Sequence, residues 1–201
     1  MSTYLSISKP VAGYFEEKKS RFYAHAFPVN GELEIETLRK GLKGKYPDAR
    51  HHCYAYRLGL KNQQSKASDD GEPSHSAGDP ILGQIRSAGL TQVLVVVVRY
   101  FGGTKLGVGG LIKAYKKAAN NALEKADFCE LYPKKVIIIR YSYSQTSRVE
   151  RLLLDFDLEV INREFKENCI ITLRARESDL DQIVALAGPP NPMIIEALPD
   201  G

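Results

Sequence analysis

The feature that most constrains this chain is a run of six apolar, mostly β-branched residues, Val93-Leu94-Val95-Val96-Val97-Val98. Nothing polar alternates with them, so the run suits a strand covered on both faces. Arg99 and Tyr100 close it, and a loop follows that holds Gly102, Gly103, Gly107, Gly109 and Gly110 around Lys105. From about Val108 the pattern turns helical, with Leu111, Tyr115, Ala118 and Ala122 at three- and four-residue spacing. Strand, glycine loop and helix start together make a place where bare backbone N–H groups and the helix dipole can meet an anion. The same glycines also suit a purely structural role, supplying positive φ angles and close helix-to-strand packing. The spacing is neither a P-loop, for which G-x-x-x-x-G-K-[ST] is missing, nor a dinucleotide fingerprint, because Ile112 stands where the third glycine belongs.

With 201 residues the chain is long enough for one large domain or two small ones. No basic segment leads into an apolar one at the amino terminus, and no apolar run approaches membrane-spanning length. Cys53, Cys129 and Cys169 are scattered, with neither a metal-type pair nor an even disulfide framework, so a reducing cytoplasm is the expected setting. Charge divides unevenly. Residues 1–127 carry 19 Lys and Arg against 12 Asp and Glu, a net +7, while residues 128–201 carry 9 against 12, a net −3. A basic amino-terminal half favours polyanionic partners such as RNA, although a solvated basic surface explains the same excess.

Residues 11–29 read as two strands around a charged turn at Glu17-Lys18-Lys19-Ser20, followed by a helix from about Glu32 to Tyr46. His51 to Gly59 reads as a strand in which His51, Cys53 and Ala55 face one way and His52, Tyr54 and Tyr56 the other. Residues 61–78 are polar, lack periodicity and read as a long loop. Asp79 then reads as the cap of a short helix stopped by Gly89. After Ala126 the pattern starts afresh. A strand at Val136–Tyr143, a helical stripe at Val149, Leu152, Leu153 and Phe156, and a hairpin around Lys166-Glu167-Asn168 come in turn. A second helix stopped by Gly188-Pro189-Pro190 and a last strand at Met193–Leu198 complete the set. That β-α-β-β-α-β order is the ferredoxin-like arrangement. The expected divide therefore gives domains 1–127 and 128–201.

Ser68-Asp69-Asp70-Gly71-Glu72-Pro73 packs three carboxylates around a turn. Asp69, Asp70 and Glu72 are candidates for magnesium ligands or, with His52, for general-base chemistry. They are equally at home as a turn whose carboxylates bond backbone N–H groups. No H-E-x-x-H, C-x-x-C or G-x-S-x-G occurs, so neither a resident metal nor a cofactor is expected, and any catalytic role stays open. Beyond the glycine loop, Lys113, Lys116 and Lys117 lie off the apolar stripe of the helix.

Five motifs occur in order: D-A-R-H-H-C-Y-A-Y (48–56), S-D-D-G-E-P (68–73), A-G-D-P-I-L (77–82), V-V-V-R-Y-F-G-G (96–103) and L-G-V-G-G-L-I-K-A-Y (106–115). Together they closely resemble the IMPACT family, in particular its bacterial YigZ-like branch. The resemblance implies an α/β (α+β) protein. Its amino-terminal domain would be like one in a small-subunit ribosomal protein and in GHMP kinases. Its carboxy-terminal ferredoxin-like domain would be like one in elongation factor G. One departure stands out: family members usually read G-T between E-P and A-G, where this chain has Ser74-His75-Ser76. The eukaryotic relatives are translation regulators that act through an additional domain; no counterpart is expected here, so their partner is not carried over. These readings lead to a cytoplasmic RNA- or ribosome-associated protein acting on translation. Arg99, Tyr100, Lys105, Gly107, Gly109, Gly110, Lys113 and Lys117 would form its phosphate- and nucleic-acid-binding surface, with no membrane association expected. The alternatives are an enzyme acting on a phosphorylated small molecule through the glycine and carboxylate loops, and a protein-interaction module.

Overall fold

A computed structural model of the chain describes residues 3–60, 63–166, 168–188 and 193–197. Its contacts divide it into two compact units, Tyr4–Leu131 and the chain from Tyr132 on. In the first unit, β1 (Tyr4–Ile7) pairs antiparallel with β7 (Phe128–Leu131). That pairing ties Phe128–Leu131 to the first unit, so the divide lies beyond β7, past the position after Asp127 that the sequence suggested.

Five further strands make the central antiparallel sheet: β2 (Val11–Glu17), β3 (Ser20–Pro28), β4 (His51–Leu58), β5 (Gln64–Ser68) and β6 (Val93–Tyr100), in the order β2-β3-β6-β4-β5. The β2–β3 turn places Lys18 and Lys19 at φ 46° and 63°, the left-handed pair that a tight hairpin needs. β6 lies at the centre, and Val93 to Val98 are all at most 1% exposed. One face of the sheet (Phe22, Ala24, Cys53, Ala55, Val95, Val97) packs on α2 (Gly78–Ser87) and α3 (Gly107–Leu123). The other (Tyr54, Tyr56, Leu94, Val96, Val98) packs on α1 (Glu32–Lys45) through Ile35 and Leu42. The uninterrupted apolar run is thus explained, because neither face of β6 meets water.

β5 departs from the expected loop at 61–78. Gln64–Ser68 is an edge strand paired only with β4, and its outer residues are exposed. Polar Q-S-K-A-S gives no period-two signal, as suits an edge that must resist pairing with other chains. Close packing at its end requires Gly78, where a Cβ would run into the Ser68 backbone.

The second unit follows the order β8 (Lys134–Tyr141), α4 (Thr146–Asp155), β9 (Glu159–Phe165), β10 (Cys169–Arg176), α5 (Leu180–Leu186) and β11 (Ile194–Ala197). Its sheet order β11-β8-β10-β9, antiparallel throughout, is the ferredoxin-like split arrangement. Ile137, Ile139, Ile171 and Leu173 face Val149, Leu152 and Ile183 across its core. The first strand ends at Tyr141 where Tyr143 was expected, because Ser142 opens a capping box with Gln145. Glu167 of the hairpin turn, Pro189-Pro190 and Leu198 lie outside the described residues. The whole is an α+β protein.

Candidate functional site

The polar residues singled out in the sequence gather at one end of the central sheet, where β6 gives way to the glycine loop. They divide into two groups with opposite character.

Each carboxylate of the Asp69–Glu72 loop has a partner within the fold. Asp69 Oδ1 accepts the backbone N–H of Ala77 at 2.9 Å and of Gly78 at 2.8 Å, while Oδ2 accepts that of His75 at 2.8 Å. Burial pushes the Asp69 carboxyl up, but the three N–H donors outweigh it and hold it below its ordinary value. This is the cap of α2. The expected cap, Asp79, lies inside the helix and bonds His75 Nδ1 at 2.6 Å instead. Asp70 Oδ2 accepts the His52 N–H at 2.7 Å, and its own carbonyl accepts from His51 Nδ1 at 2.9 Å. Asp70 and Gly71 take φ 40° and 88°, which folds the turn back on β4.

Glu72 reaches inward. Its Oε1 accepts Arg99 Nη1 at 2.6 Å and the Tyr115 hydroxyl at 2.7 Å, with the Arg99 and Glu72 side chains 7% and 4% exposed. Cys53 Sγ donates to the Asp69 carbonyl at 2.9 Å and lies 3.3 Å from Tyr115 Oη. Burial pushes both the Cys53 thiol and the Tyr115 phenol up, so neither is poised as a nucleophile. The three carboxylates therefore diverge onto separate partners. Among the described residues no three His, Cys, Asp or Glu side chains converge as metal ligands would. His52 faces the α1 side of the sheet, where burial lowers its pKa against the pull of Asp70, and its Nε2 is buried without a partner. It is not brought together with Asp69 or Glu72.

His75 occupies the position where the sequence departs from the family pattern. It stands at φ 63°, a conformation that favours glycine, and is held there by Asp69 and Asp79.

The glycine loop has the opposite character. Gly102 is structural: a Cβ there would overlap the backbone of Lys19 and Ser20, and its N–H donates to Ser20 Oγ. Gly107 takes φ 70° at the start of α3. At Gly109 an added Cβ would meet nothing within 4 Å, whereas at Gly110 it would touch Leu106. The helix N-cap, Leu106, supplies no side-chain hydrogen bond, and no acidic residue lies in the first turn. The N–H groups and positive dipole end of α3 are thus left open. Lys105 is exposed beside them, and Lys113 and Lys117 follow Gly109 at four-residue intervals along one exposed row of the helix. Arg99 is placed differently from these lysines, buried under the loop and not on its outer surface.

Two recesses flank Arg99 and Phe101. One, of 360 Å³, is lined by residues that include Glu72, Lys105, Gly107 and Val108. The other, of 390 Å³, is lined by Asp48, Arg50, His51, Arg99, Tyr100 and Phe101. Phe101 is 58% exposed and contributes to no core cluster. In the sequence Phe101 and Arg50 are visible only as parts of longer motifs. The available signal was a large aromatic residue stranded between a β-strand and a glycine loop, where no periodicity gives it a buried partner.

Comparison with known proteins places these features in a family. The Impact N-terminal domain matches residues 18–123. Over 168 residues the chain is 36% identical to the IMPACT family member YigZ of Escherichia coli (strain K12), covering 83% of this chain and 82% of that protein. It is 40% identical over 157 residues to an IMPACT family member of Thermus thermophilus, covering 78% and 84% respectively. A crystal structure of a hypothetical protein, 32% identical, superposes over all of both chains with a TM-score of 0.79.

Proposed function

This chain belongs to the IMPACT family, and from that premise we propose that it is a cytoplasmic, ribosome-associated RNA-binding protein that acts in translation regulation without catalysis of its own. The observation that carries this reading is exposed Lys105 beside the uncapped start of α3, with Lys113 and Lys117 continuing along one exposed row of that helix. Backbone donors and side-chain cations there present a surface for phosphates. The net charge of +7 over residues 1–127 adds long-range attraction for a polyanion. The phosphometabolite-enzyme reading is less well supported, because Asp69, Asp70 and Glu72 diverge onto separate partners, backbone N–H groups for the first two and Arg99 for the third. Among the described residues no helix is long and apolar enough to cross a membrane.

Salt dependence of RNA affinity tests the proposal. Each phosphate neutralised on a single strand adds roughly −0.7 to the slope of log affinity against log salt, so three lysines give about −2. Lys105→Ala with Lys117→Ala is expected to flatten that slope by about 1.4 and to weaken all sequences alike. Wild-type protein that binds no RNA at low salt, or a slope the double variant leaves unchanged, removes this surface as an RNA site.

A further inference from the structure

We propose that the 390 Å³ recess between Arg50 and Phe101 holds one unpaired base of an RNA strand. This rests on the RNA-binding reading above and narrows it from phosphate contact to recognition of single strands. The recess has the size of a small-ligand site and combines two kinds of wall. Phe101 is 58% exposed and meets the Arg99 guanidinium 5.7 Å from its ring centre, which leaves most of the ring open to a stacking partner. Tyr100 beside it is held from behind: the Tyr23 ring meets it edge-on at 6.0 Å, and the Arg21 guanidinium lies 5.3 Å from its centre.

The polar wall is short of partners. Arg99 is 93% buried, since 7% of its side chain is exposed, yet its one hydrogen bond runs from Nη1 to Glu72 and its Nε is buried with no acceptor. A guanidinium carries five N–H donors and no acceptor, and Arg99 lines the recess, so the donors that Glu72 leaves unused are the ones an acceptor entering there would meet. Asp48 adds an acceptor on the same rim, and exposed Arg50 adds a charge. His51 is fixed by its bond to the Asp70 carbonyl. An apolar plane bordered by donors and an acceptor matches a nucleobase, whose faces stack on aromatic rings and whose edges carry both hydrogen-bonding types. In a duplex those faces and edges are already occupied, so the recess selects unpaired bases.

Fluorescence anisotropy with a short single-stranded RNA, the same RNA annealed to its complement, and a strand carrying a fluorescent purine analogue tests this. Phe101→Ala is expected to weaken single-strand binding about tenfold, the loss of one stacked base. It also abolishes the change in analogue fluorescence on binding. The salt slope stays as in wild type, because the ring neutralises no phosphate. Lys105→Ala with Lys117→Ala does the reverse, flattening the slope and sparing the analogue signal. Phe101 is mostly exposed, and an unchanged melting curve for Phe101→Ala separates lost contact from lost folding. The inference is overturned if Phe101→Ala binds like wild type with its analogue signal intact. It is also overturned if duplex binds as tightly as single strand, or if a free nucleoside monophosphate displaces RNA at comparable concentration, which marks a metabolite site. A wild-type protein with no RNA affinity at low salt sinks the RNA-binding reading itself, an outcome distinct from these three.

Discussion

The Asp69–Glu72 turn and the Gly102–Gly110 loop lie at the same end of one sheet, and both look chemical in the sequence. The structure separates them by a simple criterion. In the acidic turn every carboxylate has a partner inside the protein: the start of α2 for Asp69, the β4 backbone for Asp70, Arg99 and Tyr115 for Glu72. In the glycine loop the helix start has no side-chain cap, Lys105 projects to solvent and Phe101 lies outside the core. Satisfied polar groups hold a fold together, whereas unsatisfied ones are available to a ligand. The acidic turn is therefore a clamp beside the glycine loop, and the loop is the surface we propose for RNA.

The largest effect should come from the point where clamp and loop meet. Glu72→Ala leaves the Arg99 guanidinium buried without its counter-charge, a loss of about 3–5 kcal/mol by the general cost of breaking a buried pair. Urea unfolding should show that fall in stability. Glu72→Gln, which keeps an acceptor for Tyr115, should cost less. If Glu72→Ala is as stable as wild type but loses RNA binding, the division into clamp and surface is wrong, and Glu72 belongs to the working site.

Asp69→Ala tests the same division through α2. Losing a cap costs about 0.5–2 kcal/mol, and Asp79→Ala should cost less, since the Asp79–His75 pair is exposed. The pH dependence has a definite sign. The folded-state pKa of Asp69 is lowered, so its stabilisation is present above the unfolded value near 3.9 and is lost as pH falls through the folded value. The gap between wild type and Asp69→Ala should therefore be constant at neutral pH and close below about pH 3.9. A gap that opens as pH falls contradicts the assignment.

How far the sequence reveals this depends on what kind of signal each element carries. β6, α1 and the βαββαβ unit are legible because burial imposes a period on side chains, or removes it. β5 is not, because an exposed edge strand carries no apolar alternation. Asp69 is legible as a turn residue able to bond backbone N–H groups, but its role as the α2 cap is hidden by distance: it bonds residues eight and nine positions ahead, while Asp79 occupies the local capping position. The partnership of Glu72 with Arg99 spans 27 residues and two elements, so no local pattern encodes it. Arg99 was legible as a functional candidate but not as a buried one, since charge alone does not show which side of a loop a side chain takes.

Two glycine substitutions sharpen the comparison at its smallest scale. Gly71, in the acidic turn, stands at φ 88°, where a side chain is strained whatever the space around it. Gly71→Ala should destabilise the protein by roughly 1–2 kcal/mol. Gly109 lies in the first turn of α3 with open space where its Cβ would go. Alanine there should raise stability by up to about 1 kcal/mol, because it reduces the freedom of the unfolded chain and suits a helix. Yet the added methyl stands beside the open N–H groups, so RNA affinity should fall a few-fold while the salt slope, set by charge, stays the same. The two changes are identical in chemistry and expected to be opposite in sign for stability, with the stabilising one weakening binding. A Gly109→Ala variant that is more stable and binds RNA undiminished leaves the lysine row as the contact surface and takes the helix start out of it.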